Sequence, residues 1–177
     1  MSYIKEQAMA KVDTAAIAQF LSLATIATAL PFFIHIQWLT GPIVNAILII
    51  AIFLAGIRGA LLLCLIPSLM ALSGGLLPAV LAPVVPFIMI SNTLLVLGVD
   101  FVYSRSRDAV KGFAAGVLAG ASIKFLFLFL TVGLMSNLVI KKELSFKIAQ
   151  MMSWSQLVTA LIGGVLAFIF LKWLKRI

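Results

Sequence analysis

One cysteine, one histidine and five acidic residues are all that 177 residues supply of the side chains from which disulfides, metal centres and carboxylate pairs are built. Cys64, alone and inside an apolar run, forms neither a disulfide framework nor a thiolate cluster within the chain. With His35 as the single imidazole, no metal-dependent or Cys/His catalytic set can be assembled, and no cofactor is expected. Charge is scarce too, at 10% of residues against the roughly one quarter usual in water-soluble globular chains.

What fills the sequence instead is apolar. Hydrophobic residues make up 64% and the mean hydropathy is +1.25, more than a domain of this size can bury from water, so the bilayer is the expected solvent. The net charge of +8 does not mark a nucleic-acid partner, because the basic residues gather at the ends of apolar segments, as in membrane topology signals.

Six apolar stretches, at about 15–36, 41–57, 59–77, 84–103, 110–136 and 152–171, approach the ~20 residues that cross ~30 Å of hydrocarbon. The first is too long for a signal-peptide core and no sharp cleavage site follows it, so it is expected to stay as a span. The second and third are short and separated by "GIRGA", which suggests a tight helical hairpin with Arg58 at its tip. "SGGLLPAVLAPVVP" reads as an irregular or re-entrant connection, which protein or a water-filled cavity must cover. Within 136–154, a short amphipathic segment is expected to turn Phe146, Ile148 and Met151 toward membrane lipid.

Orientation follows from Lys and Arg. Lys5, Lys11, Arg58, Arg105, Arg107, Lys111, Lys172, Lys175 and Arg176 fall on one side, Lys141, Lys142 and Lys147 on the other. The positive-inside rule then places both termini in the cytoplasm. The expected fold is an all-α integral membrane protein, a compact bundle of six transmembrane helices forming one domain over residues 1–177, in a prokaryotic plasma membrane.

Against this background one residue stands out. Lys124 lies near the middle of the fifth stretch, where a lysine costs about 2.5–3.5 kcal/mol on insertion scales. Gly112, Gly116 and Gly120 precede it at four-residue intervals, so it emerges within ~40° of Gly120 on a face that packs against other helices. From mid-span its side chain is too short to reach headgroups comfortably. The one acid within a span, Asp100, lies nearer the cytoplasmic end by roughly 16 Å. Either burial keeps the amine neutral or an external ligand supplies the anion, and three roles stay open: ligand binding, a structural polar contact with Asn92, Ser91 or a backbone carbonyl, or proton handling.

Other polar and aromatic groups are placed to share an outward-facing cavity with it. Asn92 is near the middle of the fourth stretch, Asn45 near the start of the second, and His35, Gln37 and Trp38 at the outer end of the first. Trp154, Gln156 and Thr159 are at the outer end of the sixth. Such an inventory suits a small-molecule site with a few fixed polar groups. Trp38 and Trp154 fit an interfacial aromatic belt equally well, His35 fits an exposed loop better, and Phe125, Phe127 and Phe129 are expected toward lipid. On the first stretch, Ala10, Thr14, Ala18 and Ser22 form a stripe of small residues that lets another helix approach.

Six short spans with both ends inside, that stripe, the outward segment "HIQWLTGPIVN" and the polar residues of the last three spans together resemble the substrate-binding S component of an energy-coupling-factor (ECF) vitamin transporter. The family's Ala-x-x-x-Ala docking pattern has as its nearest counterparts here Ala10-x-x-x-Thr14 and Ala18-x-x-x-Ser22. The resemblance implies high-affinity capture of a small-molecule micronutrient, docking on a transmembrane coupling subunit and energy from two ATPase subunits. The chain's lack of a Gly-x-x-x-x-Gly-Lys-Ser/Thr phosphate loop is consistent with that division of labour. A lysine without an internal counter-ion favours a carboxylated vitamin or related acid as cargo. Two other classes use the same residues: a membrane scaffold of cell-envelope or cell-shape assembly, and an intramembrane enzyme pairing Ser91 or Ser122 with Lys124.

Overall fold

A computed structural model describes residues 14–77, 79–138, 152 and 154–177. Ala10 and the proposed amphipathic residues Phe146, Ile148 and Met151 lie outside them. The described residues are helical and contain no strand. Helix α1 spans Thr14–Phe33, α2 Gln37–Leu54, α3 Gly56–Leu63, α4 Ile66–Ser73, α5 Val85–Arg105, α6 Ala109–Leu138 and α7 Trp154–Trp173. Five segments, Gln37–Leu54, Gly56–Ser73, Ala82–Arg105, Ala109–Thr131 and Trp154–Trp173, are long and apolar enough to cross a membrane; Thr14–Leu30 is a shorter apolar helix. The chain is therefore an all-α, multi-pass membrane protein.

The expected third span departs most from the sequence-based outline. It is two helices of eight residues, α3 and α4, with a break at Cys64 and Leu65. Pro67 sits in the first turn of α4; lacking an N–H and crowding the carbonyl four residues back, it cannot continue a helix from Leu63. The turn before α3 is also tighter than "GIRGA" implies. Only Ala55 separates α2 from α3, Gly56 takes φ +73°, and Arg58 lies exposed within α3 rather than at a loop tip. The irregular connection after α4 resolves into a 3-10 helix at Ala79–Val84, whose last residue Val84, with Leu77 and Val85 on either side of it, buries against Leu128 and Met152.

Glycines set the helix spacing. A Cβ on Gly120 would lie 2.6 Å from the Leu95 carbonyl oxygen, and one on Gly98 would lie 2.7 Å from the Gly120 Cα. Backbones of α5 and α6 therefore touch, in the manner of small-residue interfaces in membranes. On α7, Gly163 receives the Pro42 carbonyl and Asn45 of α2, and Gly164 receives Val117 of α6. These pairings fix directions. Gly41 meets Thr159 and Asn45 meets Gly163, so α2 and α7 run parallel; Val117 meets Gly164 and Phe113 meets Phe168, so α6 and α7 run antiparallel. Phe53 packs edge-on to Tyr103 at 4.9 Å and, with Phe113 and Phe168, fills the end of the bundle toward which α2, α5 and α7 run.

Candidate functional site

At the centre of this frame the Lys124 side chain is 2% exposed, in the interior of the bundle as the glycine spacing predicts. Its Nζ donates to Asn45 Oδ1 of α2 at 2.7 Å and to Asn92 Oδ1 of α5 at 2.8 Å. The amide nitrogens of those asparagines donate outward, Asn45 Nδ2 to Thr159 Oγ1 and Asn92 Nδ2 to Ser68 Oγ, each at 3.4 Å. Five helices, α2, α4, α5, α6 and α7, thus contribute to one network around one amine. An ammonium group has three donors and no acceptor, so it dictates that both amides turn their oxygens inward. The two short contacts have the length of charge-assisted bonds, whereas the 3.4 Å contacts orient the amides with little strength.

No carboxylate among the described residues joins the network. Their one ion pair, Lys111 with Asp108 at 3.9 Å, is exposed at the turn between α5 and α6. The lysine is thus held entirely by neutral oxygens, as the sequence requires when Asp100 is too far along α5 to reach it.

Lys124 is also part of the wall of a cavity of about 100 Å³. Along α2 the lining residues are Gln37, Thr40, Gly41, Val44 and Asn45, the spacing of one helical face. Across from it stand Pro67, Ser68 and Ala71 of α4, then Val84, Ile88 and Asn92, with Leu76, Leu77, Met152 and Gln156 completing the wall. Beyond the amine the bundle is closed by the buried apolar core of Leu48, Leu95, Val96, Val99 and Val117.

Of the residues expected at the site, Lys124, Asn92, Asn45, Gln37 and Gln156 come together around this cavity. Trp38, His35 and Trp154 are not in its wall. One residue along a helix is ~100° around it, so Trp38 cannot share the face of Gln37, and it stands 60% exposed. Trp154, 66% exposed, stacks beside Phe125 at 5.0 Å between ring centroids. The His35 ring Nε2 lies 2.9 Å from the Gly74 carbonyl oxygen and ties the segment before α2 to the end of α4. Ser68 was not singled out by the sequence; the signal was its position directly after Pro67, where a broken helix exposes polar groups that need partners.

The serine–lysine arrangement does not form in these contacts. Ser91 Oγ donates to the Ile88 carbonyl at 2.8 Å, Ser122 is exposed on another face of α6, and Lys124 donates to neither. No group of three or more metal-ligating side chains occurs among the described residues. On α1, Thr14, Ala18 and Ser22 are exposed, while Leu23 and Ala27 face the core. Phe129 is exposed, but Phe127 packs partly against Leu128 and its neighbours, so the phenylalanine ladder is only partly on the lipid side. No family model, no characterised protein sequence and no solved structure matches the chain.

An internal counter-ion offers a direct test of this site. Asn92→Asp places a carboxylate at the Asn92 Oδ1 position, 2.8 Å from Nζ, in nearly the same volume. The variant is expected to melt at a higher temperature than the parent, because the buried amine gains a counter-ion in place of a neutral oxygen. Parallel thermal melts of the purified proteins check the sign.

Proposed function

We infer that this protein captures a small anionic micronutrient, a vitamin or related carboxylate, as the substrate-binding subunit of an ATP-driven importer of the ECF type. The observation that carries the reading is the Lys124 amine in the cavity wall, bonded to two amide oxygens and to no carboxylate among the described residues. Among the described residues two of the three donors of its charged form are engaged, which leaves one for a ligand. A cation held this way in a low-dielectric interior attracts an anion more strongly than any exposed lysine does. The wall above it is largely apolar with a few polar groups, the composition of a small-molecule site.

Orientation belongs to the same reading. Arg58, Arg105, Arg107, Lys111, Lys172, Lys175 and Arg176 cluster at the end closed by Phe53, Tyr103, Phe113 and Phe168, and the cavity belongs to the opposite end. With the basic end in the cytoplasm, both termini are inside and the cavity faces out, as capture requires. The outward face of α1, with Thr14, Ala18 and Ser22 exposed, then serves as the surface for a transmembrane coupling subunit with its two ATPases.

Native mass spectrometry of gently purified protein tests the proposal. The expected spectrum contains a retained small acid and, from a mild preparation, a coupling subunit with two ATPase subunits. Co-purification of envelope-assembly proteins, with no retained small molecule and no uptake phenotype, overturns it in favour of a scaffold.

A further inference from the structure

The two arms of the lysine network end differently. On one side Asn45 Nδ2 donates to Thr159 Oγ1, and that hydroxyl spends its own hydrogen on the Gln156 carbonyl at 3.2 Å. On the other, Asn92 Nδ2 donates to Ser68 Oγ, and the Ser68 hydroxyl has no acceptor among the described residues. Other buried hydroxyls do not share this condition. Thr40, Ser91 and Thr131 donate to the carbonyls of Ile36, Ile88 and Phe127, three or four residues back, at 3.0, 2.8 and 2.8 Å. That local bond is open to any serine or threonine in a helix. Ser68 stands just after the break at Cys64 and Leu65, is 4% exposed, and belongs to the cavity wall. A buried donor left unmatched costs free energy, so one in a cavity wall marks a place for an acceptor.

Lys124 offers a second such donor, since among the described residues Asn45 and Asn92 take two of the three on its ammonium group. Both open donors flank one side chain. Asn92 meets Nζ with Oδ1 at 2.8 Å and Ser68 Oγ with Nδ2 at 3.4 Å, so one planar carboxamide already bridges the amine and the hydroxyl. A carboxylate is a planar group of nearly the same size, with an acceptor at both positions. We propose that Ser68 is a second anchor for the captured acid: its hydroxyl donates to one carboxylate oxygen while the Lys124 amine donates to the other, and Asn92 holds both donors in place. This rests on the capture reading above and adds to it a specificity-determining residue. Because Ser68 lies on α4 and Lys124 on α6, a bound carboxylate ties those helices together. A methyl ester lacks the charge and one of the two good acceptors, so it engages the pair poorly.

The test uses the full-length protein in nanodiscs, with benzoate and hexanoate as probes and their methyl esters as controls, read by calorimetry and amide hydrogen exchange. Each acid is expected to bind the parent, and each ester to bind at least ~10-fold more weakly. Ser68→Ala is expected to weaken both acids by at least ~10-fold, the loss of one hydrogen bond to a charged group, while melting close to the parent. Ser91→Ala, which removes a buried hydroxyl outside the wall, is expected to leave the affinities unchanged. At saturation the acids are expected to slow exchange across Ile66–Ser73 in the parent, and Ser68→Ala to lose that protection. Ser68→Cys, close in size but a weak donor, is expected to repeat the loss and replaces the alanine variant if that does not fold. Equal acid affinity in the parent and the Ser68 variants, equal protection of α4, or no binding of either acid to the parent overturns the assignment. The capture reading is judged separately: it stands if the purified protein retains a small acid that Lys124→Met loses, and falls if it retains none.

Discussion

Lys124→Met is expected to abolish retention of the ligand and its uptake while the bundle still folds. The amine is the one basic group among the described residues of the cavity wall, and removing one member of a buried charged pair costs about 3–5 kcal/mol, equivalent to ~100-fold to ~1,000-fold or more in affinity. The cost to the empty protein is smaller. Asn45 and Asn92 lose their shared donor but keep Thr159 and Ser68, and they border a cavity rather than sealed hydrocarbon, so a few kcal/mol at most is at stake. Methionine follows the lysine stem closely in volume and suits the apolar surroundings. Lys124→Arg keeps the charge but forces a larger planar head into a site 2% exposed, and is expected to recover only part of the binding. Binding constants measured for the three proteins check the order, and an unchanged constant in the methionine variant removes the anion argument.

The largest loss of stability is expected from Gly120→Val. Its Cβ would lie 2.6 Å from the Leu95 carbonyl oxygen and 3.2 Å from Val99 Cγ2, both on α5, and a backbone carbonyl cannot turn aside as a side chain can. The α5–α6 pair must separate, at a cost of about 3 kcal/mol or more. Because Lys124 is one turn further along α6, separation also draws it from Asn92, and ligand binding falls together with stability. Gly56→Ala is the informative control: its φ of +73° strains an alanine by about 1–2 kcal/mol, yet no atom lies within 4 Å of the added Cβ. Unfolding in mixed micelles should rank the two variants in that order, and a reversed ranking contradicts the close-packed interface.

Much of this was written in one dimension. Apolar length gave the helices to within a few residues, because the bilayer demands it. The four-residue glycine spacing was enough to turn Lys124 inward, because helical phase converts sequence distance into angle. The same phase could have separated Gln37 from Trp38, and Gln156 from Trp154; tryptophan was kept at the site on chemical grounds that rotation overrules. The break at Cys64 and Leu65 and the role of Ser68 were hidden for a different reason. Pro67 marks where a helix stops, but what its freed neighbours bond to depends on which helix lies opposite, a fact of packing rather than of composition.

Two walls of the cavity are mechanically unlike. Behind Asn92 and Lys124 stand helices whose main chains touch, so that side is stiff and holds the amine in one place. Facing them, Ser68 and Ala71 ride on an eight-residue helix joined to α3 by a tight turn, in which the Cys64 N–H donates to the Ala60 carbonyl at 3.1 Å and the Leu65 N–H to the Leu62 carbonyl at 3.3 Å. The interrupted helix is the less regular of the two walls, and amide exchange in α4 is expected to outpace that of the glycine-locked α5–α6 pair.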